Sequence, residues 1–139
     1  MSLFDLALIK KYDRSGPRYT SYPTANNFSA FTQADYQSQV ALSNDRKGPI
    51  SLYCHIPFCN TVCFYCGCNK VVTKDKTKAD PYLDALFKEI DKQGKLFDSA
   101  RLVEQVHFGG GTPTFLSNEQ IIRLSEKLQA CFNFADDGE

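Results

Sequence analysis

The chain is organised around residues 59–66, which read Cys59-Asn60-Thr61-Val62-Cys63-Phe64-Tyr65-Cys66. The three cysteines are spaced C-x3-C-x2-C and follow an apolar run that ends at Pro57. Cysteine thiolates hold iron–sulfur clusters, and a [4Fe–4S] cluster normally takes four of them. Three neighbouring thiolates can bind three irons and leave the fourth iron open, as metal-centred catalysis requires. The spacing therefore predicts a catalytic cluster site in this loop.

The bulk composition limits the class of protein. With 139 residues, a single domain is the natural expectation. The 16 lysines and arginines balance 16 aspartates and glutamates, which argues against nucleic acid as the main partner. No apolar run approaches the roughly 20 residues that span a bilayer, and no signal peptide opens the chain. We therefore expect a cytoplasmic protein with no membrane or nucleic-acid partner.

Five of the six cysteines lie between residues 54 and 68. Disulfides are rare in the reducing cytosol, and a disulfide framework would spread its cysteines along the chain. Cys68 extends the pattern to four thiols and allows a zinc site as an alternative, but structural zinc usually binds two separated pairs. The gathered spacing therefore favours an iron–sulfur cluster, with Cys54 and Cys131 as small apolar core residues.

Residues 50–56 alternate in polarity as a half-buried strand does. The apolar positions are Ile50, Leu52, Cys54 and Ile56. In a parallel strand covered by helices, that face lies outward and the other face lines an interior cavity. Tyr53 and His55 then point toward a ligand beside the cysteine loop. The alternative for His55 is a core histidine whose ring nitrogen is satisfied by a backbone carbonyl.

Residues 102–108 predict a second strand with two possible face assignments. The set expected to face the helices is Leu102, Val106 and Phe108. Gln105 and His107 then line the same cavity as the polar residues of the first strand. Val103 and Glu104 fit the opposite assignment. Two strands that each keep polar groups on one face together predict a polar ligand cavity.

The second strand runs into a glycine-rich loop, Gly109-Gly110-Gly111-Thr112-Pro113-Thr114. Consecutive glycines let the backbone approach a ligand and expose amide donors, although a tight strand-to-helix turn is the alternative. Ligands of open parallel sheets bind outside the carboxyl ends of strands, so we expect both loops on the same rim. Phe64 and Tyr65 are expected either to cover the cluster sulfurs or to pack in the core.

Helices are predicted around these strands from apolar periodicity and end signals, over residues 3–12, 34–44, 81–94 and 118–132. Asp80 is expected to cap the third of them, and Gly94 to stop it. The order strand, helix, strand, helix is the start of a parallel α/β fold. No third strand is predicted before Glu139.

Four stretches of the chain resemble the radical S-adenosylmethionine (SAM) superfamily. They are Gly16-Pro17-Arg18-Tyr19-Thr20-Ser21-Tyr22-Pro23-Thr24-Ala25, Tyr53-Cys54-His55-Ile56-Pro57-Phe58-Cys59, Cys66-Gly67-Cys68-Asn69-Lys70 and Gly109-Gly110-Gly111-Thr112-Pro113-Thr114. The three-cysteine spacing is typical of the whole superfamily. The first stretch and Cys68 narrow the resemblance to the oxygen-independent coproporphyrinogen III oxidase family.

The resemblance implies the N-terminal part of a partial (β/α)6 TIM-like barrel. Residues 1–48 would form a helical N-terminal arm, and residues 49–139 the first two β/α units of the core. The rest of the barrel is absent from this sequence, so we expect an N-terminal portion of a longer protein that is inactive alone. An exposed parallel sheet edge would make this portion poorly stable by itself.

By the same resemblance, Cys59, Cys63 and Cys66 ligate a [4Fe–4S] cluster whose open iron binds SAM. One electron from the reduced cluster yields a 5′-deoxyadenosyl radical, which abstracts hydrogen from propionate side chains of the substrate. The radical SAM oxidoreductases of this family convert coproporphyrinogen III to protoporphyrinogen IX in haem biosynthesis. The positions that match SAM contacts are Tyr53, Tyr65, Gly110, Gly111 and Thr112. His55 and Arg18 are hypotheses for catalytic groups, with Arg18 as a planar fork for a carboxylate.

Expected partners are coproporphyrinogen III as the substrate and a low-potential electron donor such as a flavodoxin. The protein itself is expected to be a monomer. The nearest alternative is the haem chaperone related to this family, which typically lacks the arm and the cysteine that matches Cys68. A plain electron-transfer module would need a fourth cluster thiolate, and a zinc-stapled interaction domain would hold zinc without sulfide.

Overall fold

A computed structural model describes residues 4–13 and 25–139 of the chain. It divides into two compact units, Met1–Thr32 and Gln33–Glu139. In the first unit, helix α1 (Leu6–Tyr12) begins after Asp5, whose side chain accepts hydrogen bonds from the amides of the first turn. A short 3-10 turn covers Ala25–Asn27. Arg18 and most of the stretch around it lie outside the described residues.

The second unit alternates strands and helices as the sequence predicted. Its elements in chain order are α2 (Gln33–Asp45), β1 (Ile50–Ile56), β2 (Phe58–Cys59), β3 (Val71–Val72), α3 (Ala79–Gly94), β4 (Leu102–Gly110), α4 (Asn118–Cys131) and β5 (Asn133–Phe134). Helix α2 belongs to this unit, although the predicted boundary after residue 48 would place it in the arm.

The main sheet is parallel and three-stranded, in the order β1-β4-β5. The expectation that no third strand precedes Glu139 is therefore wrong. Beyond β5 the chain returns to β4, where the Glu139 amide donates to the Glu104 carbonyl and the Val106 amide donates to the Glu139 carbonyl, each at 2.8 Å. These bonds cover part of the far edge of β4, which the sequence had suggested would be open.

The core lies between this sheet and helices α3 and α4. Its most deeply buried members are Ile56, Leu83, Val103, Phe115 and Leu124. Cys54 is 5% exposed and belongs to the same cluster, and Cys131 packs against it, so both cysteines are core residues as predicted. The outward apolar face of β1 is thus confirmed, and its polar face is turned toward the opposite side of the sheet.

An irregularity in β4 explains why both face assignments fitted its sequence. Ile50 pairs with Val103, but the next residue of β1, Ser51, pairs with Gln105, so Glu104 is an extra residue on β4. Such a bulge reverses which alternate side chains face the core. Val103 is therefore buried and Leu102 is 46% exposed, which corrects the prediction for Leu102. After the bulge, the predicted faces are confirmed.

The ends of α3 differ from the prediction in one respect. The residue before α3 is Lys78, which makes no side-chain cap, and Asp80 lies inside the first turn. There Asp80 accepts a hydrogen bond from Gln120 of α4 at 3.0 Å, so the predicted cap is wrong. Gly94 is the last residue of α3, as predicted, and a Cβ on it would lie 3.0 Å from the Cβ of Cys131 in α4. The glycine lets the two helices approach closely.

A buried arginine, Arg101, makes a cluster of hydrogen bonds at the amino end of the sheet. Arg101, which is 8% exposed, donates from its guanidinium to the carbonyls of Gly48 at 2.6 Å and Pro49 at 3.3 Å. It also donates to the side chains of Ser43 at 3.0 Å and Asn44 at 3.2 Å. These bonds tie the end of α2 to the start of β1 and β4.

Within the described ranges, no helix combines the length and the apolarity needed to cross a membrane.

Candidate metal and cofactor site

The cysteine loop leaves the carboxyl end of β1 and is closed at its base by a small parallel ladder. Phe58 pairs with Val71, and Cys59 pairs with Val72. The Val71 amide donates to the Pro57 carbonyl at 2.7 Å, and the Thr73 amide donates to the Cys59 carbonyl at 2.9 Å. Entry to and exit from the loop are therefore fixed beside each other, with Cys59 buried at the base.

The three predicted ligand thiols differ in their surroundings. Cys59 is buried, Cys63 is exposed, and Cys66 is half-buried. The Cys66 amide donates to the Cys63 carbonyl at 3.2 Å, so these two residues share one turn. Among the described residues, no three metal-binding side chains are already gathered around one point. The assignment of Cys59, Cys63 and Cys66 to a cluster therefore stays a prediction.

The electrostatics of the loop distinguish Cys66 from Cys68. A hydrogen bond from the backbone amide of Cys68 lowers the pKa of the Cys66 thiol, and the charge of Lys70 adds to this. The charge of Cys66 in turn raises the pKa of Cys68. The thiolate is the form that binds metal, so a lowered pKa favours the metal-binding form of Cys66. This donor chemistry fits the ligand set that the sequence predicted.

Phe64 and Tyr65 are the most exposed aromatic residues of the loop. Tyr65 is 92% exposed and Phe64 is fully exposed. Packing of these rings in the core is therefore excluded as an explanation for them. The prediction that they cover a cluster, and that Tyr65 contacts SAM, is not tested by this arrangement.

The three consecutive glycines at the end of β4, of which Gly111 follows the strand, each face a different residue of the rim. A Cβ on Gly109 would lie 2.7 Å from Cε2 of Tyr53, and a Cβ on Gly110 would lie 2.5 Å from Cε1 of His55. A Cβ on Gly111 would lie 2.9 Å from Sγ of Cys59. The glycine loop is therefore shaped by contacts within the chain, in addition to any ligand.

Two of the amide donors expected in the glycine loop are already used. The Gly111 amide donates to the Ile56 carbonyl at 2.7 Å, and the Thr112 amide donates to the Phe58 carbonyl at 2.8 Å. The expectation of free donors is therefore wrong for these two residues. The Thr112 hydroxyl is 3.7 Å from Cys59 Sγ and donates to it, which joins the glycine loop to the cysteine loop.

Tyr53 and His55 lie side by side on the polar face of β1, as predicted. The Tyr53 hydroxyl is 3.1 Å from His55 Nδ1, and His55 Nε2 is 2.8 Å from the Asn69 carbonyl. The Tyr53 ring also stacks on His107 of β4, with ring centroids 5.7 Å apart. The backbone carbonyl partner of the alternative interpretation is present, but His55 is only half-buried and is not a core residue. A catalytic role for His55 stays a prediction.

Sequence reasoning missed two contributors to this rim. Asn69 was noted as part of a motif, but no pattern indicated that its carbonyl would meet His55. Tyr82 lies within the predicted third helix, and its hydroxyl donates to the His55 carbonyl. Burial raises the pKa of the Tyr82 hydroxyl, which keeps it a donor. Both contacts join segments that are distant in sequence, so local patterns carry no signal for them.

A parallel sheet with a three-cysteine loop and a glycine loop at one rim is the arrangement expected of a radical SAM core. The sequence pattern of the Radical SAM superfamily matches residues 53–137. This chain is therefore a member of the radical SAM superfamily, and its fold is the N-terminal part of that α/β architecture.

Comparison with known proteins identifies the family within the superfamily to which the chain belongs. The chain is 50% identical over 138 residues to the oxygen-independent coproporphyrinogen III oxidase of Mannheimia haemolytica, covering 99% of this chain and 92% of the relative. It belongs to the oxygen-independent coproporphyrinogen III oxidase family. It is 54% identical over 137 residues to the enzyme of that name from Salmonella typhimurium, covering 98% of this chain and 29% of that one.

A solved structure has the same fold. It is the coproporphyrinogen III oxidase of Escherichia coli, described as a radical SAM enzyme, with a TM-score of 0.80 and 50% sequence identity. The match covers 98% of this chain and 29% of the solved one. The chain thus spans less than a third of the length of several relatives that it matches.

Proposed function

We propose that this chain provides the cluster- and SAM-binding part of an enzyme that oxidatively decarboxylates coproporphyrinogen III to protoporphyrinogen IX. The observation that carries the proposal is the joining of the two loops at one rim. There Cys59 Sγ accepts a hydrogen bond from the Thr112 hydroxyl and lies against Gly111. The names of the relatives at about half identity support the substrate assignment.

Cys59, Cys63 and Cys66 are the proposed ligands of the cluster. When bound, a [4Fe–4S] cluster with one open iron supplies the coordination site and the single electron that cleave SAM to a 5′-deoxyadenosyl radical. The chain's own contribution is to keep one ligand fixed and to favour thiolate at another. Cys59 is held at the base of the loop, and the Cys68 amide stabilises the Cys66 thiolate.

SAM is proposed to lie along the glycine loop. Because Gly110 and Gly111 have no side chains and the Gly111 amide is already bonded, they would offer backbone surface and carbonyl acceptors. The Tyr53 ring, which is 58% exposed on this face, would flank the nucleotide. Tyr65 and the Thr112 side chain complete the proposed contacts. Arg18 is proposed to bind a substrate carboxylate, and it lies outside the described residues.

Further proposals follow from the same assignment. A low-potential one-electron carrier such as a flavodoxin would reduce the cluster, and the enzyme would act as a cytoplasmic monomer. Residues 1–48 would serve as an N-terminal arm, and residues 49–139 as the first two β/α units of a radical SAM core. Residues 1–139 alone are not expected to turn over substrate, because the chain spans 29% of the Salmonella relative.

Anaerobic reconstitution tests the proposal. The full-length protein is loaded with iron and sulfide, reduced, and mixed with SAM and coproporphyrinogen III. Formation of 5′-deoxyadenosine together with protoporphyrinogen IX is the expected result. Iron and sulfide without any spectral change on adding SAM would instead indicate an electron-transfer module. Tight stoichiometric haem binding without SAM cleavage would indicate the haem chaperone.

A further inference from the structure

The side chain of His55 connects the end of β1 to the segment that follows the cysteine loop, and the proposed chemistry needs both in fixed positions. It projects from the end of β1 and reaches Asn69, which follows the last cysteine of the loop. Asn69 is two residues before Val71, whose amide is bonded to the Pro57 carbonyl at 2.7 Å. The histidine therefore holds the exit of the cysteine loop at the point where the loop returns to the sheet.

The hydrogen bonds of the ring determine its tautomer. A backbone carbonyl can only accept, so His55 Nε2 carries the hydrogen in the 2.8 Å contact with Asn69. Nδ1 then has a free lone pair and accepts from the Tyr53 hydroxyl at 3.1 Å. Both ring nitrogens are occupied within the chain. His55 thus has no nitrogen left for an iron or for proton transfer to a ligand.

The space around the ring is as restricted as its hydrogen bonds. A Cβ on Gly110 would lie between 2.5 and 2.7 Å from three ring atoms of His55. Gly110 also has φ of +99°, a conformation that favours glycine. The backbone carbonyl of His55 accepts from the Tyr82 hydroxyl on the other side. The ring is therefore clamped between the glycine loop and the exit of the cysteine loop.

We propose that His55 is a positioning residue that locks the cysteine loop onto the glycine loop. The proposal rests on the function proposed above, and it reassigns His55 from a catalytic group to one that acts through Asn69. The lock sets where Cys66 stands, because only two residues separate Cys66 from Asn69, whose carbonyl is held by His55. Loss of the lock frees the exit of the loop while leaving Cys59 fixed at its base.

Two substitutions separate the hydrogen bonds of His55 from its volume. His55→Gln keeps an N–H donor for the Asn69 carbonyl, whereas His55→Phe keeps a ring and loses both hydrogen bonds. In the protein before reconstitution, we expect His55→Phe to raise amide hydrogen exchange of Val71 and Thr73 about tenfold. His55→Gln is expected to raise it about twofold or less.

Iron content after reconstitution gives a second readout. His55→Phe is expected to retain less iron than His55→Gln, because the exit of the loop is no longer held. His107→Gln is the matched control. Among the described residues, this histidine on the same face stacks on Tyr53 and makes no hydrogen bond to the cysteine loop, so the iron content of His107→Gln should equal that of the wild type. Wild-type exchange and wild-type iron in His55→Phe would overturn the proposal.

The core provides a check on folding. If exchange of the β4 core amides also rises in His55→Phe, the variant is globally destabilised, and Tyr53→Phe then decides. That change removes only the partner of Nδ1 and should raise exchange of Val71 and Thr73 by about threefold, with the core unchanged. No change there would contradict the lock. A wild-type protein that exchanges as expected but never cleaves SAM would refute the proposed function alone.

Discussion

The two ends of the sheet are built on different principles. At the amino end, the buried guanidinium of Arg101 donates to two carbonyls and two side chains that close the end of α2 onto β1. At the carboxyl end, exposed Phe64 and Tyr65 stand beside thiols and glycines. At the amino end the polar groups hydrogen-bond to one another, whereas at the carboxyl end the groups that could take part in chemistry stay accessible.

The difference shows how stability and function can be placed apart in one α/β unit. The hydrogen bonds of Arg101 at the amino end hold the strands together, and they do not constrain the loops at the carboxyl end. At the rim, the chain satisfies only what is needed to fix the two loops, as in the 2.7 Å bond from the Gly111 amide to the Ile56 carbonyl. In such folds the loops after the strands carry the site, and the opposite face carries stability.

The largest expected effect is on metal loading at the rim. Cys59→Ala removes the thiol at the fixed base of the loop, so cluster retention should fall to near zero. Cys131→Ala, a change in the core, should keep iron and sulfide close to the wild-type values. Iron and acid-labile sulfide are measured after anaerobic reconstitution. Equal iron in the two variants would show that the ligand assignment is wrong.

The next effect is on stability at the amino end. Arg101→Met removes a guanidinium that is 8% exposed together with its four hydrogen bonds, which should cost about 3 kcal/mol of unfolding free energy. Arg123→Met is the control, because that side chain is 48% exposed and its ion pairs are worth about 0.5 kcal/mol. Urea unfolding measures both. Similar losses of unfolding free energy in the two variants would mean that the hydrogen bonds of Arg101 do not stabilise the sheet.

Gly110→Ala tests the rim by adding a methyl group where the preceding variants remove side-chain groups. A Cβ there meets the His55 ring at 2.5 Å and the φ of +99° is strained for alanine, so about 2 kcal/mol of stability should be lost. Gly67→Ala within the cysteine loop is the control, since its Cβ would meet nothing within 4 Å. Thermal unfolding compares them. An unaltered melting temperature in Gly110→Ala would contradict the close contact.

A smaller effect is expected from Tyr53→Phe, which keeps the ring and removes the hydroxyl. Iron content should stay near the wild-type value, while SAM cleavage should fall several-fold because the flanking ring loses its bond to His55. Reconstituted protein is assayed for 5′-deoxyadenosine at several SAM concentrations. Loss of iron with unchanged cleavage per cluster would mean that Tyr53 acts only on the cysteine loop, through His55, and does not contact SAM.

The smallest effect concerns the pair of Lys127 and Asp91, whose Nζ and Oδ1 are 2.5 Å apart. The hydrogen bond from Lys127 lowers the pKa of Asp91 and raises the pKa of Lys127. Their stabilisation is therefore complete between about pH 4 and pH 10. It is lost as pH falls through the depressed pKa of Asp91 or rises through the raised pKa of Lys127. The melting temperatures of Asp91→Asn and wild type should converge in acid; a constant difference would refute this.

Periodicity in the sequence predicted β1 to the residue, because a strand buried on one face must alternate. It did not predict the bulge at Glu104, since the sequence of β4 satisfies either alternation and only pairing with Ile50 and Ser51 selects one. Asp80 is likewise a good cap by local pattern, yet Gln120 and Arg123 of α4 engage it. Short strands such as β5 fall below the length at which periodicity is visible.

The sequence by itself determined the order of the main strands and helices, the core face of β1, and the gathering of thiols at the end of a strand. These follow from local spacing, because burial and loop connection act on neighbouring residues. Only the tertiary structure decided that each glycine at the end of β4 faces a different side chain, and that the two ring nitrogens of His55 contact Tyr53 and Asn69. Those contacts join distant segments, and their energies depend on distances that no single stretch encodes.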